Sequence, residues 1–249
     1  MIIKVLQWNI WYQENVENIL KTLKKIDADI LCLQEVTTDS TYNPNLDVPK
    51  YFSEELNLNY FYKKAQGWRL KGNKRAMGNA IFSKFPITRK YFKFIQEPTT
   101  RPNSLGYNEG RIYIEVELEI NNSKLTVGTT HMSFNPWFEV TKNKKNQTKI
   151  LVNIMEKKSS DFIFTGDFNS TPDLYPIKQF LKILKNAGPE LDKNTFSKIP
   201  WNDGGFEVNG LEYRIDYIFC TLDIKVLSSK IVESKYSDHL PILVECRIS

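Results

Sequence analysis

Polar side chains able to do chemistry stand at the ends of six apolar runs in this sequence. Asn9 follows Val5-Leu6-Gln7-Trp8, Glu35 follows Ile30-Leu31-Cys32-Leu33-Gln34, and His131 follows Val127-Gly128-Thr129-Thr130. Asp167 and Asn169 follow Phe162-Ile163-Phe164-Thr165-Gly166. Asp216 lies within Arg214-Ile215-Asp216-Tyr217-Ile218-Phe219, and Asp238-His239 precede Leu240-Pro241-Ile242. A strand fixes its backbone while the side chain at its end meets solvent, so such positions favour a site. Singly, each has an ordinary explanation: an Asp or Asn after a strand is commonly a turn or cap residue. Together they form a set of carboxylates and amides without cysteine. These hard oxygen donors suit Mg²⁺ or Mn²⁺ better than Zn²⁺. The sequence has only two histidines, and both fall beside this set.

The elements that must hold these residues follow from hydrophobic periodicity. Residues 2–8 read as a buried strand, and Val16, Ile19, Leu20, Leu23 and Ile26 recur at helical spacing. Residues 29–34 form a second buried strand ending on Glu35, and Pro49 opens a helical stretch to about Leu56. Between 60 and 95, short strands are expected around a basic, glycine-containing loop. Residues 111–120 alternate with period two, with Ile112, Ile114, Val116 and Leu118 on one face and Glu115, Glu117 and Glu119 on the other. Asn121-Asn122 is the turn and 124–130 the hairpin partner. A helix over 140–157, a strand over 161–165 and a helix over 174–185 follow. Strands over 213–219, 224–231 and 240–248 close the chain. This mixture predicts sheets packed on each other with helices outside, a four-layer sandwich rather than a Rossmann-type sheet.

At 249 residues the chain fits one α/β domain. No apolar run approaches the roughly 20 residues a membrane span needs. The first residues show no basic n-region, long apolar stretch or cleavage site, so a cytoplasmic location is expected. Cys32, Cys220 and Cys246 are an odd count without metal-type spacing and read as small core residues. Net charge is +5, and much of the excess lies in 63–75 and 142–149. Each is either a solvated face or a patch that tracks phosphates.

The ordered segments Trp8-Asn9, Leu33-Gln34-Glu35-Val36, Gly78-Asn79-Ala80-Ile81-Phe82-Ser83 and Thr130-His131 continue into Gly166-Asp167-Phe168-Asn169, Arg214-Ile215-Asp216-Tyr217-Ile218 and Ser237-Asp238-His239-Leu240-Pro241. The series resembles the endonuclease/exonuclease/phosphatase superfamily, which shares the fold of pancreatic deoxyribonuclease I. It runs in family order from residue 8 to residue 241. The resemblance implies a single domain over 1–249, an α/β (α+β) four-layer α/β/β/α sandwich of two mixed sheets. It implies an Mg²⁺- or Mn²⁺-dependent phosphoric ester hydrolase in which Glu35 is the metal ligand, with Asn9 and Asp238 helping to hold the ion or its waters. His239, oriented by Asp216, would poise the attacking water or stabilise the charged state, and either His239 or Asp167 is the formal base. His131 and Asn169 would donate to the phosphate oxygens as charge develops. Arg111 is either a further phosphate contact or a surface arginine opening a strand.

Fold alone does not choose among the esters such proteins cleave. Tyr213-Arg214-Ile215-Asp216-Tyr217 departs from the Trp-Cys-Asp-Arg type segment of inositol-polyphosphate phosphatases. Gln34-Glu35-Val36-Thr37 lacks the lysine, and Trp11 replaces the aspartate, usual in abasic-site endonucleases. Gln34-Glu35-Val36 resembles the tyrosyl-DNA phosphodiesterase-like and sphingomyelinase-like branches, and 166–173 resembles the deadenylase-like nucleases. Phe134 and Trp137 after His131, and Trp201 and Phe206 before Asp216, either rim the site and stack on rings or plug their loops against the core. Arg111, Trp137 and Trp201 are the candidate substrate contacts. With the basic 63–75 segment, a nucleic-acid phosphodiester cleaved by a monomer is the first expectation. A lipid-headgroup or small-molecule phosphoesterase and a basic nucleic-acid-binding module are the alternatives.

Overall fold

The computed structural model describes residues 1–40, 42–70, 73–99 and 110–248, with only the backbone at 68–70 and 73–75. The chain runs β1 (Ile2–Asn9), α1 (Val16–Ile26), β2 (Ile30–Thr38), α2 (Val48–Leu56), β3 (Asn59–Leu70), β4 (Asn73–Ser83) and β5 (Ile87–Gln96). It continues through β6 (Arg111–Ile120), β7 (Ser123–His131), α3 (Lys142–Met155), β8 (Phe162–Asp167), α4 (Tyr175–Phe180) and β9 (Lys185–Asn186). The last strands are β10 (Trp201–Asp203), β11 (Phe206–Val208), β12 (Asp216–Cys220), β13 (Lys225–Ile231) and β14 (Ile242–Arg247).

Two six-stranded sheets form, ordered β13-β14-β1-β2-β4-β3 and β5-β6-β7-β8-β12-β9. Each is mixed, with one parallel pair at its centre: β1 beside β2 in the first sheet and β7 beside β8 in the second. Alternation along these strands assigns the layers. Ile3, Val5, Ile30 and Cys32 meet Val127, Ile163 and Ile218 between the sheets. The intervening Leu6, Trp8, Leu31 and Leu33 pack outward on Ile19, Leu20 and Leu23 of α1 and Phe52 of α2. Phe162, Phe164, Tyr217 and Phe219 pack outward on Leu151 of α3 and on Ile177 and Phe180 of α4. The result is the expected α/β/β/α sandwich.

Capping fixes where the outer helices begin. Asn15 Oδ1 accepts from Glu17 N ahead of α1, and Asp47 Oδ1 accepts from Lys50 N ahead of α2. Among the described residues, no helix is long and apolar enough to cross a membrane. The three cysteines are free and buried.

Three local expectations need correction. The basic 63–75 segment is not a loop where its backbone is described; it belongs to the β3–β4 hairpin, paired from Asn59↔Ser83 to Leu70↔Asn73. Because β3 is an edge strand, its charges need no apolar alternation, and alternation was the signal for strand. Lys71, with the side chains of Arg69, Lys74 and Arg75, lies outside the described residues. The helix expected over 174–185 stops at Phe180 and tightens into turns, because the following residues join β12 as β9. The glycine-containing loop before Asp216 is a small hairpin, β10–β11, turning through Gly204 and Gly205 at φ +59° and +90°.

Candidate active site

The inner faces of both sheets change from apolar to polar toward one end. On β1 the inward series is Ile3, Val5, Gln7, Asn9, and on β2 it is Ile30, Cys32, Gln34. On β7 it is Val127, Thr129, His131; on β8 it is Ile163, Thr165, Asp167. β12 runs the other way and starts there with Asp216, which faces Asp167 in register. The same alternation that builds the core therefore aims a polar group from each central strand into one region between the sheets.

A β-bulge adds Glu35. The β2–β4 register slips between Leu33 and Val36, and Glu35 takes φ +59°. A left-handed backbone at a non-glycine residue costs roughly 1–3 kcal/mol. Here it presents the Glu35 carboxylate to the cleft, while Gln34 points into the seam beneath. Glu35 Oε1 accepts from Asn9 Nδ2 at 3.1 Å and Oε2 from Tyr12 N at 3.0 Å. Asn9 Nδ2 also donates to Asp167 Oδ2 at 3.0 Å, joining the two sheets.

His239 and Asp238 arrive on the loop before β14, pinned to the end of β1. Ser237 Oγ donates to Asn9 O at 2.8 Å and accepts from His239 N at 3.1 Å, and Trp8 Nε1 donates to His239 O at 2.9 Å. His239 Nδ1–H donates to Asp216 Oδ2 at 2.8 Å, which leaves Nε2 toward the cleft, 3.7 Å from Asp167 Oδ2. Asp216 is itself held: its Oδ1 accepts from Gln7 Nε2 at 3.2 Å. Gln7 and Gln34 form a reciprocal amide pair, and Gln34 Nε2 also reaches Thr129 Oγ1 at 2.9 Å. Arg214 Nε donates to Asp216 O at 2.6 Å, and Tyr217 Oη donates to Ser170 O at 2.9 Å.

Asn169, at φ +46°, receives support from Asp167, whose Oδ1 accepts from Asn169 N at 2.9 Å. Its Nδ2 donates to Met132 O at 3.0 Å and to His131 Nε2 at 3.2 Å. Both amide hydrogens are thus engaged, so a phosphate oxygen would have to displace one of these acceptors. Burial, with the charges of Arg111, His239 and Lys144, holds the His131 ring far below its usual range, consistent with a neutral Nε2 that accepts.

The carboxylates share one electrostatic character. Burial pushes Asp167 up to about 6 against the pull of His239, and burial likewise pushes Asp238 up to about 6. Glu35 is raised by burial too, although hydrogen bonds from Tyr12 and Asn9 oppose the shift. Burial disfavours a charge on His239, yet Asp216, Asp238 and Asp167 together raise it well above the usual histidine range. Several acids crowded into a buried pocket carry negative charge that a cation would relieve.

The structure brings nearly all of the sequence-read residues together. A cleft of about 280 Å³ is lined by Asn9, Glu35, Arg111, His131, Asp167, Asn169, Asp238 and His239, with Asp216 buried behind His239. Arg111 is 7% exposed and faces this cleft, so the reading as a surface arginine is set aside. Trp201 also lines the cleft, beside Phe134 and Phe196. Trp137 does not: it is 65% exposed and rests on Phe206 outside the lining. Phe138 and Phe206 plug their loops, at 2% and 3% exposure. Asn79 serves the fold, donating to Ile112 O at 2.9 Å across the two sheets.

Gln7, Gln34 and Lys144 were not legible as functional from strand ends alone. The first two continue the inward face of Val5 and Cys32, so stepping back two residues from Asn9 finds Gln7 and two residues on from Cys32 finds Gln34.

A sandwich carrying acids, amides and a carboxylate-held histidine at one end of its central strands defines the class of phosphoester hydrolases. The model of the Endonuclease/Exonuclease/phosphatase family matches residues 6–239, and the chain belongs to that family. Its fold superposes on an endonuclease/exonuclease/phosphatase from Beutenbergia cavernae with a TM-score of 0.78 at 17% identity, covering 100% of this chain and 72% of that one. In sequence it is 30% identical over 176 residues to Protein angel of Drosophila melanogaster, covering 67% of this chain and 46% of the fly protein. It is 31% identical over 179 residues to the probable CCR4-Not complex 3'-5'-exoribonuclease subunit Ccr4 of Vairimorpha ceranae, covering 62% and 36%. The matched stretch thus spans less than half the length of these relatives.

Proposed function

We propose that the chain is a divalent-metal-dependent phosphodiesterase that cleaves nucleic acid, with RNA the first substrate to examine. The observation that carries the hydrolytic part is His239, held by Asp216, with its Nε2 3.7 Å from the burial-raised Asp167 carboxylate and both His239 and Asp167 facing one cleft. Nucleic acid is favoured because Phe134, Phe196 and Trp201 wall the same cleft, and a base has the ring face that such a wall accepts. The likeness to a probable Ccr4 exoribonuclease subunit supports RNA.

The donor set fits a hard divalent cation. Asp167, Asp216 and His239 each place a ligand atom within 4.8 Å of the others. Asp216, however, is buried behind His239 and does not line the cleft, whereas Glu35, Asn9 and Asp238 do and are the residues that would hold the ion. When bound, the ion would neutralise charge on the non-bridging and leaving oxygens of the phosphate.

The chain's own groups divide the remaining work. His239, charged and held by Asp216, donates from Nε2 to a phosphoryl oxygen as negative charge develops. Asp167 accepts the proton of the attacking water, a task suited to a carboxylate shifted toward neutrality. Arg111, which lines the same cleft, meets a phosphate oxygen. Asn169 donates once the phosphate displaces its resting acceptor.

The acid limb of the rate follows from these shifts. Asp167 must be ionised to accept a proton and Asp238 to hold a cation, and both lie at about 6. kcat/KM is expected to be level above that value and to fall below it by about tenfold per pH unit for one proton, more steeply for two. A profile flat from pH 4.5 to 8 would contradict the assignment. Trp201→Ala tests the wall. Its KM for an oligonucleotide should rise about fivefold or more, since stacking contributes ~1–3 kcal/mol per base. Turnover of bis(p-nitrophenyl) phosphate should change little.

The deciding experiment incubates the protein with labelled oligoadenylate, single-stranded DNA, a sugar phosphate and a choline phosphodiester, each with Mg²⁺ and with EDTA. Mg²⁺-dependent shortening of the oligonucleotides is expected. Release from the sugar or choline ester alone would replace nucleic acid as the substrate class.

A further inference from the structure

Lys144 stands where a lysine is least at home. It is in the first turn of α3, behind the Thr141 cap whose Oγ1 accepts from its N–H. Its charge therefore adds to the positive end of the helix dipole instead of opposing it. Its neighbours Lys142, Lys145 and Lys149 are exposed, but Lys144 is 0% exposed, so the reading of 142–149 as a solvated or phosphate-tracking run fails at this residue. Burial pushes its ammonium down to about 7, against the pull of Asp167 and with Arg111 adding to the fall. It shares a buried stripe with Gln147, Thr148, Leu151 and Met155 on the side of α3 that covers the second sheet.

What Lys144 meets there is the active-site loop. Its Nζ donates to the carbonyl oxygen of Asn169. Asn169 is the residue in left-handed conformation whose N–H is held by Asp167 and whose amide is shared between Met132 O and His131 Nε2. A buried carbonyl left unpaired is unfavourable, and Lys144, which does not line the cleft, supplies the donor for this one.

We propose that Lys144 is a positioning residue: its ammonium holds the Asn169 carbonyl from behind the site and thereby fixes the Asn169 amide against His131. The kinetic consequence of this contact, but not the contact itself, rests on the phosphodiesterase reading.

Having two histidines makes the geometry measurable. In the ring ¹⁵N–¹H spectrum of the labelled 249-residue chain, two imidazoles appear, assigned by His131→Ala. Lys144→Met removes the donor and keeps an apolar stem. It should shift the His131 ring signals and leave those of His239, held by Asp216, where they are. Lys144→Arg should return the His131 signals toward their original positions. With Mg²⁺ and bis(p-nitrophenyl) phosphate, Lys144→Met should lower kcat by about 10–100-fold with KM within about twofold, the size of effect a small misplacement produces. In an Asn169→Ala background the same change should add less than about twofold, because both act through one contact. Should Lys144→Met fail to fold, Lys144→Leu, which also removes the donor and keeps an apolar side chain, carries the same comparison. Unmoved His131 signals in a folded variant would overturn the proposal, and so would additive losses in the double variant. If the wild type turned over no phosphodiester, the phosphodiesterase reading would fall, and the ring spectra would still decide the role of Lys144.

Discussion

His239→Ala is expected to lower kcat on a phosphodiester by about 10³-fold or more while leaving the folded protein intact, since a positioned proton-transfer or charge-stabilising group contributes about 10²–10⁴-fold. The ring is 4% exposed, its Nδ1 is fixed by Asp216 and its Nε2 is the nitrogen left for the substrate. Its backbone contacts, to Ser237 Oγ and Trp8 Nε1, survive the substitution, so the loop that carries Asp238 stays docked. The near-UV circular dichroism should therefore be unchanged. Asp216→Asn should approach the same loss, because the carboxylate charge that keeps the ring protonated is gone. Steady-state kinetics with Mg²⁺ on bis(p-nitrophenyl) phosphate checks both. More than a tenth of wild-type activity in His239→Ala would remove the histidine from the reaction.

The second large effect is expected at Glu35. Mg²⁺ at a hundredfold excess over its Kd should stabilise the wild type by ~2.7 kcal/mol, a rise of several degrees in Tm. In Glu35→Gln that rise should vanish along with most of the turnover. The metal-free variant should unfold within a few degrees of wild type. Glutamine loses one of the two acceptors used by Asn9 Nδ2 and Tyr12 N, but it also relieves the buried charge. The sign follows from the raised pKa of Glu35: above both its folded and unfolded values, an acid of this kind makes the native state less stable than its neutral counterpart. Thermal denaturation with and without Mg²⁺ measures the difference. An undiminished Mg²⁺ shift in Glu35→Gln would move the ion to Asp167, Asp216 and His239.

Most of the fold was legible because both sheets obey period-two patterning. Residues 111–120 announce a half-buried strand, and the observed β6 has the same bounds. The site was legible to the extent that its residues end apolar runs: Asn9, Glu35, His131, Asp167 and His239 do so and line one cleft. What escaped has identifiable physical causes. Gln7 and Gln34 sit one step inside their strands, where a polar residue reads as an interruption until the facing sheet supplies its partner. Lys144 hid in a lysine run, although its spacing to Gln147, Thr148 and Leu151 is the helical spacing of a buried stripe. Trp137 was read as part of the rim because it is near His131 in sequence. The Asn135–Phe138 turn, with φ +54° at Trp137, puts its ring outside instead. The 63–75 segment misled because an edge strand can carry charge along its whole length.

The groups proposed to be catalytic are split between the two sheets. Glu35 and Asn9 belong to one sheet and Asp167, His131 and Asp216 to the other, and among the described residues no strand pairs one sheet with the other. The gap across which they meet is therefore set by the thickness of the apolar filling between them. Val5, Cys32, Val127, Ile163 and Ile218 act as a shim. Trimming that shim by a methyl group is expected to change the spacing of the proposed reacting groups without touching any of them, so that turnover becomes a gauge of core packing.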